Sequence, residues 1–260
     1  MKTKWSIFFL FHLLFFFVSC VSKKNSNMSS QSSQNNYSYL HFGPDSNLIA
    51  KHVTTENFCP HIKYSFDKKD HDIEMQVFAQ KDKDFPVTVC SINLPLLAKN
   101  IEINSKELPS VNFSADKALL IGDTGCRIKG NKIQNCNSAE EWPFKKIADK
   151  SSEEIFDVIV HLGDYHYRES PCPTGDSRCL GSPWGDNWDT WKQDFFQPAE
   201  SLLTKAPFIF VRGNHEECSR ASKGWLRFLA NENSMPCVET NDPYLVNLEK
   251  MSFIIFDSSV

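Results

Sequence analysis

The chain has 260 residues, of which 41% are hydrophobic and 23% are charged, so it is expected to fold into one good-sized globular domain and a smaller one rather than to be disordered. The formal net charge is −4 and the pI is near 6.1. No basic stripe is present that would neutralise a phosphate backbone, which argues against a nucleic acid polymer as a partner.

The N-terminal twenty residues have the pattern of a signal peptide. Two lysines precede an apolar run over residues 5–18, and Cys20 follows a small residue. The run is shorter than the ~20 residues that a membrane-spanning helix needs, which favours a signal peptide over a permanent anchor. Residues 17–20 also resemble a bacterial lipoprotein box. Lipidation at Cys20 and simple cleavage are therefore both open, and export to a bacterial cell envelope or to the medium is predicted.

The next two segments are a linker and a β-rich region. Residues 21–39 are almost entirely Ser, Asn, Gln and Lys, which predicts a flexible polar linker. Residues 40–115 contain short alternating runs separated by Lys-Asp clusters, a pattern typical of strands and turns. A small β-rich N-terminal region is predicted there. Its histidines lack the spacing of metal ligands and are expected to lie at the surface or to be hydrogen-bonded: His41, His52, His61 and His71.

From residue 117 the pattern changes to apolar strands that alternate with helices. Eight elements are predicted in order: strand 118–121, helix 139–155, strand 156–162, helix 188–203, strand 207–211, helix 225–230, strand 244–248 and strand 252–256. The order strand, helix, strand, helix, strand is the signature of a parallel sheet with right-handed crossovers. Residues 116–260 are therefore predicted to form an α/β domain.

The cysteines predict disulfides. Nine are present, and eight remain when Cys20 is set aside with the signal. An even number in an exported chain favours disulfides over a zinc site, since no cysteine pair has the gap of roughly two to four residues found in zinc knuckles. The connectivity is open from sequence alone. Pairing of near neighbours suggests Cys59 with Cys90, Cys126 with Cys136, Cys172 with Cys179, and Cys218 with Cys237.

Three short polar motifs occur in order, each where a predicted strand ends. They are GDTG at residues 122–125, GDYHY at residues 163–167 and GNHE at residues 213–216. Because ligands bind at the carboxyl ends of strands in α/β sheets, these side chains are expected at one edge of the sheet. Carboxylates placed together repel one another unless cations lie between them. The sequence therefore predicts a metal site made of oxygen ligands.

These motifs resemble those of the calcineurin-like metallophosphoesterases, and the GDxxY pattern resembles the purple acid phosphatase branch in particular. The resemblance covers roughly residues 120–258 and implies an αββα sandwich, here incomplete at the C-terminus. It also implies a metal-dependent phosphoester hydrolase that acts on a small phosphoester. The implied cofactors are two metal ions, iron with iron, zinc or manganese, and their identity is open.

The resemblance assigns a role to each motif residue. Asp164 would bridge the two metal ions, and Asp123 and Tyr167 would hold the first. Asn214 would help to hold the second. His215 would steady the transition state or protonate the leaving oxygen.

Other residues near the motifs receive no firm role. His161 and His166 match no ligand position and are expected to be structural. Arg127, Arg168 and Arg212 lie close to the motifs in sequence, and contact with phosphate and pairing with an acid are both open for each of them.

The family pattern is only partly present. Family members carry a lone His and a Gly-His-x-His after GNHE, but no histidine follows His215 in this chain. Gly125 stands where many relatives have a His ligand, although the purple acid phosphatase branch dispenses with it. Two explanations of the missing histidines are open: the chain is a piece of a longer enzyme, or it is a short product that holds two metals poorly. Weak or absent activity is expected of this polypeptide by itself. The competing interpretation is a non-catalytic exported envelope protein that uses its disulfide-stapled α/β region for binding.

Overall fold

The computed structural model of the chain describes residues 36–233 and 236–259. The predicted signal peptide, Cys20 and most of the predicted linker lie outside these residues. Across the two described ranges, no helix has the length and apolar character needed to cross a membrane. The linker predicted to run to residue 39 ends earlier, since Tyr37 and Tyr39 are buried in the first strand.

The described ranges contain fifteen strands: β1 (Tyr37–Phe42), β2 (Leu48–Thr54), β3 (His61–Phe66), β4 (Lys69–Glu74), β5 (Gln76–Ala79), β6 (Thr88–Leu94), β7 (Lys99–Ile103), β8 (Lys106–Glu107), β9 (Ala118–Ile121), β10 (Ile128–Lys129), β11 (Lys132–Ile133), β12 (Val158–His161), β13 (Phe208–Phe210), β14 (Tyr244–Asn247) and β15 (Ser252–Ile255). They also contain the α-helices α1 (Phe144–Ser151), α2 (Trp188–Trp191), α3 (Glu200–Leu203) and α4 (Ser222–Phe228). A π-helical turn covers Lys192–Phe196, and 3₁₀ turns cover Pro44–Ser46 and Asn214–Glu216.

Each of the eight elements predicted after residue 117 has a counterpart. The helix predicted over residues 188–203 is divided, however, into α2, the π turn and α3. Pro198 lies at the division. Because proline lacks an N–H, the backbone bond to the residue four positions earlier cannot form, and regular helix is interrupted here although Gln197 keeps helical φ and ψ.

The main sheet has seven strands in the order β5-β6-β2-β1-β13-β12-β9. The neighbours β9, β12, β13 and β1 run parallel, and the remaining pairs are antiparallel. In the register of the parallel strands, His161 pairs with Ile121 on one side and with Phe210 on the other. The strands that precede the three motifs therefore end in one row.

Strands β1, β12 and β13 of the main sheet are covered on both faces, which explains the apolar runs of β12 and β13, whereas Leu120 of the edge strand β9 is exposed. On one face, Ile159 and Phe208 belong to the core formed with the helices. On the other face, Val160 and Ile209 pack in a second core with the antiparallel sheet β4-β3-β7-β8 and the hairpin β14–β15. The layers are therefore helices, main sheet and smaller sheets.

Residues 40–115 do not form a core of their own. Strands β1, β2, β5 and β6 belong to the main sheet, where His41 of β1 pairs in register with Phe208 of β13. The predicted boundary near residue 115 therefore does not separate two cores, because the apolar side chains of these strands are buried together with those of the α/β part.

Four disulfides join Cys59 to Cys90, Cys126 to Cys136, Cys172 to Cys179, and Cys218 to Cys237. These are the pairs of near neighbours that the sequence suggested. Four disulfides in a chain of this size indicate folding in an oxidising compartment, in agreement with export.

The N-terminal histidines differ in their surroundings. His61 is exposed and bonds Asp72, and His52 bonds Ser38, as expected. His41 is an exception, because it is fully buried and neither of its ring nitrogens has a hydrogen-bond partner among the described residues. The expectation of a surface or hydrogen-bonded side chain is wrong for His41.

Candidate metal centre

The first two motif loops share an unusual backbone conformation. Asp123 and Asp164 have positive φ angles of 52° and 62°. A non-glycine residue in this region costs on the order of 1 kcal/mol or more and persists only where its surroundings fix it. Here the loops hold each other, since the N–H of Asp123 donates to Gly163 O (3.1 Å) and that of Thr124 to Asp164 O (3.1 Å).

Tyr167 brings the two carboxylates together. Its hydroxyl oxygen lies 2.6 Å from Asp123 Oδ1 and 3.0 Å from Asp164 Oδ2. Burial, together with Asp123 and Asp164, holds the pKa of the Tyr167 phenol well above its usual range. The neutral phenol therefore supplies the one proton that the two carboxylates share.

The Asn214 side chain completes the group of oxygen-bearing side chains. In the amide orientation that satisfies its hydrogen bonds, Nδ2 donates to Asp164 Oδ2 (3.3 Å) and Oδ1 accepts from Arg220 Nη1 (2.9 Å). A cation at Asp164 would require the opposite orientation, with the amide oxygen turned toward the ion. Asn214 is thus adjacent to the predicted bridging carboxylate, and the orientation of its amide decides whether nitrogen or oxygen faces Asp164.

His215 packs against the same cluster. Its ring centroid is 3.8 Å from that of Tyr167, and its backbone N–H donates to Asp164 Oδ1 (3.1 Å). Nδ1 lies 2.8 Å from His166 O, so in the neutral ring the proton is on Nδ1 and Nε2 is bare. Burial and the nearby charge of Arg220 lower the pKa of His215. All five predicted site residues therefore lie together.

Glu216 is a site residue that was not assigned a role from sequence. Its buried carboxylate accepts four backbone hydrogen bonds, at Oε2 from Asp164 (3.0 Å) and Gly213 (3.2 Å), and at Oε1 from Tyr165 (2.9 Å) and His166 (3.1 Å). Burial raises the pKa of Glu216 to about 8, and the N–H donors act in the opposite direction. Glu216 is the final residue of the GNHE motif, and this position was the sequence feature that could have identified it.

Asp194 holds the first loop against the second. Its Oδ1 accepts from Cys126 N (3.1 Å) and its Oδ2 from Tyr167 N (2.9 Å). Arg168 Nε lies 2.6 Å from Asp194 Oδ1, and both side chains are buried. In the sequence, Asp194 comes three residues after Trp191, on the apolar side of the predicted helix. An acid in that position could have indicated a buried charge. Arg168 therefore faces away from any substrate.

Arg212 is also buried. Its Nε donates to Glu216 O (3.0 Å) and its Nη1 to Val238 O (2.8 Å), which ties the third loop to the C-terminal part of the chain. Of the three arginines considered from sequence, Arg127 is exposed beside the cluster.

His161 and His166 have the structural roles expected of them. His161 Nδ1 accepts from Gly163 N (3.3 Å) and its Nε2 donates to Thr124 Oγ1 (2.8 Å), so the neutral ring joins two loops. Burial lowers the pKa of His161 to about 3, which keeps the ring neutral. His166 Nε2 donates to Gly185 O at 3.0 Å.

The donor set fits a hard cation. Asp123, Asp164 and Tyr167 offer converging oxygen atoms, and Gly213 allows the close approach, because a Cβ there would collide with Asp164 Oδ1. Within residues 36–233 and 236–259, no group of three or more His, Cys, Asp or Glu side chains is arranged to hold a metal. Any ion at this position would therefore depend on the phenol of Tyr167 and the amide of Asn214 as well as on the two carboxylates.

Comparison with known proteins shows which family and which folds the chain resembles. The family model described as calcineurin-like phosphoesterase matches residues 117–254, which include all three motifs. No curated protein matches the chain. A purple acid phosphatase from seeds of yellow lupin (Lupinus luteus) has a similar structure, with a TM-score of 0.51 and 13% identity over 84% of this chain and 44% of that one. The structure of PhoD matches with a TM-score of 0.39 and 12% identity over 86% of this chain and 51% of that one.

The chain thus spans about half the length of these solved structures. At 13% identity, the likeness to the lupin protein shows the fold alone. The predicted family resemblance and the predicted α/β sandwich are both confirmed.

Proposed function

The chain belongs to the calcineurin-like phosphoesterase family, and from this premise we propose that it is a metal-dependent phosphoester hydrolase of the cell envelope. The observation that carries the proposal is the convergence of Asp123, Asp164 and Tyr167 at the aligned strand ends. The four disulfides and the predicted signal peptide support the location.

Each ligand residue has a proposed ion to hold. Asp123, Asp164 and Tyr167 would hold the first metal ion, and Asp164 and Asn214 would contribute to the second. When bound, two such ions supply Lewis acidity and bring the pKa of a bound water to near neutrality. Tyr167 would lose the proton that it shares between the carboxylates, and Asn214 would turn its amide oxygen away from Arg220. The choice of iron with iron, zinc or manganese rests on the family resemblance, and of these manganese is the ion best suited to carboxylate and carbonyl oxygens.

His215 has the position of a proton donor. In the hydrolysis, a water oxygen forms a bond to phosphorus, the ester P–O bond breaks, and the leaving alkoxide takes a proton. The Nδ1–H of His215 is held by His166 O, which leaves Nε2 as the nitrogen that can reach a substrate. Only the imidazolium carries a proton on Nε2 while it keeps this bond, so the donor role would require the charged ring, against the burial and the Arg220 charge that lower the pKa of His215.

The decisive experiment removes the proposed bridge. Asp164→Ala is expected to abolish both metal binding, measured by mass spectrometry of metal content, and hydrolysis of p-nitrophenyl phosphate. Asp116→Ala is the matched control, because Asp116 is exposed at the other end of β9. Retention of both metal and turnover by Asp164→Ala would exclude the proposed bridge.

A second candidate is a non-catalytic envelope protein that uses the disulfide-stapled domain for binding. One observation favours it: among the described residues only Asp164 and Asn214 are placed to contribute to the second ion, and no group of three or more His, Cys, Asp or Glu side chains is arranged to hold a metal. Metal content separates the candidates. A native chain that folds without metal and leaves p-nitrophenyl phosphate intact supports the binding protein, whereas about two metals per chain support the enzyme.

A further inference from the structure

The first motif loop continues into a short hairpin that borders the metal centre. Strands β10 and β11 pair antiparallel, and the Cys126–Cys136 disulfide joins the two arms. Arg127 N donates to Gln134 Oε1 (3.1 Å), and Gln134 N donates to Arg127 O (2.8 Å). Ile128 is buried with the cysteines in a small apolar cluster. The hairpin backbone is therefore well fixed, and it presents its charged side chains at a defined position.

Two of these side chains are cations that line the cleft of the metal centre. Arg127 and Lys132 border a cleft of about 430 Å³ together with Asp123 and Tyr167. The Arg127 guanidinium lies over the Tyr167 ring, 5.1 Å from its centroid. Such a cation–π contact orients the planar guanidinium and leaves its N–H groups free for an anion.

The third cation of the hairpin behaves differently. Lys129 Nζ lies 2.9 Å from Glu169 Oε2, a carboxylate that also pairs with Arg220 through Oε1 (2.6 Å). Within the part of the chain that the structure describes, no carboxylate oxygen lies within 4.0 Å of the charged groups of Arg127 or Lys132. Of the three cations of the hairpin, Lys129 therefore has an ion-pair partner outside the cleft, whereas Arg127 and Lys132 border the cleft without a direct ion pair.

A single phosphoryl group at the metal centre does not account for two extra cations. Its charge would be met by the ions held at Asp123 and Asp164, as in other metal sites for phosphoryl chemistry. Additional Arg and Lys side chains beside such a site are suited to a further anionic oxygen group, which they bind through charge-assisted hydrogen bonds.

On this geometry we propose that Arg127 and Lys132 form a second anion subsite, which takes a phosphate group next to the one that is cleaved. The substrate class would then be phosphoanhydrides and esters that carry two neighbouring phosphates. This inference rests on the proposed function for the identity of the cleaved group, but the subsite itself can be measured without turnover.

The test uses two non-hydrolysable probes, methylphosphonate with one phosphonate group and methylenediphosphonate with two. Binding is measured by isothermal titration calorimetry to the full chain, both metal-free and loaded with zinc. The native chain should bind the diphosphonate at least about tenfold more tightly, because a charge-assisted contact of about 1.5 kcal/mol corresponds to that factor. The double variant Arg127→Gln/Lys132→Gln should lose this preference and bind methylphosphonate nearly as before.

A charge-matched control is the double variant Lys63→Gln/Lys99→Gln, whose lysines are exposed on β3 and β7 away from the cleft. It should keep the native preference. Thermal unfolding of both double variants checks that they fold as the native chain does. Equal diphosphonate affinities of the native chain and Arg127→Gln/Lys132→Gln, in both metal states, would overturn the subsite.

The outcomes separate this inference from the proposed function. If the zinc-loaded native chain hydrolyses p-nitrophenyl phosphate and Arg127→Gln/Lys132→Gln binds the diphosphonate as the native chain does, the proposed hydrolase is supported and the subsite is excluded. Should no phosphoester be hydrolysed while the double variant loses diphosphonate binding, the subsite stands and the hydrolase fails.

Discussion

Glu216 Oε2 accepts a hydrogen bond from the backbone N–H of Asp164 at 3.0 Å, so a side chain of the third motif fixes the backbone of the second. Three further backbone N–H groups bind the same carboxylate. The four donors leave no acceptor for a carboxyl proton, so this geometry favours the ionised form, which can accept all four bonds, against the effect of burial that raises the pKa of Glu216. The position of the proposed bridging aspartate therefore depends on a residue that holds no metal.

Glu216→Gln is expected to loosen both loops. The amide nitrogen would face two backbone N–H donors, so two hydrogen bonds would be lost and buried donors left unpaired. We expect the free energy of unfolding, measured by urea denaturation, to fall by about 2–4 kcal/mol. Glu217→Gln, at the less buried neighbouring position, is the control and should be close to native. Native-like stability of Glu216→Gln would contradict the role given to the four bonds.

Asp194→Ala tests the other buried carboxylate of the site. The substitution leaves the Arg168 guanidinium buried without a counter-charge and leaves the N–H groups of Cys126 and Tyr167 unpaired. Removing one partner of a buried ion pair costs about 3–5 kcal/mol of unfolding free energy. Asp189→Ala, at an exposed position of α2, is the control. A loss below about 1 kcal/mol would show that Asp194 does not hold the loops.

Much of the site was predictable from sequence because its parts are local. Apolar runs place Ile121, His161 and Phe210 at the ends of parallel strands, and the polar residues follow immediately. Each ligand is then positioned by the strand before it. A short pattern is enough to find such residues.

The supporting residues were harder to predict because their partners are distant in the chain. Asp194 binds the N–H of Cys126, 68 residues away, and no periodicity in the sequence specifies that contact. The placement of β1 beside β13 is non-local in the same way, so residues 40–115 were predicted to be a separate region. Three local signals went unused: the Pro198 break in the predicted helix, the final Glu216 of the third motif, and the acid Asp194 on the apolar side of that helix.

Tyr167→Phe removes the proton donor shared by Asp123 and Asp164. The metal-free chain is expected to lose about 1–2 kcal/mol of unfolding free energy, because two partly buried carboxylate oxygens lose their hydrogen bond. In the chain reconstituted with ferric iron, the visible band of a bound phenolate should be absent. Tyr165→Phe is the matched control, since the Tyr165 hydroxyl donates to Val211 O (3.0 Å) and faces the core. A coloured Tyr167→Phe protein would exclude Tyr167 as the iron ligand.

His41→Leu tests the histidine whose surroundings contradict the prediction made from the sequence. The His41 ring is buried beside Tyr39 and Phe210 with no partner for either nitrogen. Burial, and then the charge of Lys51, hold the pKa of His41 well below its ordinary value of 6.5. The folded chain therefore keeps the ring neutral at a pH where the unfolded chain protonates it. Titration of His41 therefore costs the folded chain no stability above pH 6.5. Below pH 6.5 the unfolded chain takes up a proton that the folded chain does not, so the free energy of unfolding falls as the pH falls.

Relative to the native chain, His41→Leu should gain unfolding free energy by up to about 1.4 kcal/mol for each pH unit below 6.5, because the variant has no proton to take up on unfolding. Any packing change at this position shifts the whole curve by a constant, so the slope of the difference is the informative quantity. Urea denaturation between pH 7.5 and pH 5 measures it. Phe58→Leu, at an exposed position that carries no titrating group, is the control and should leave the slope at its native value. Parallel curves for the native chain and His41→Leu would mean that the His41 ring takes up its proton as readily in the folded chain as in the unfolded one.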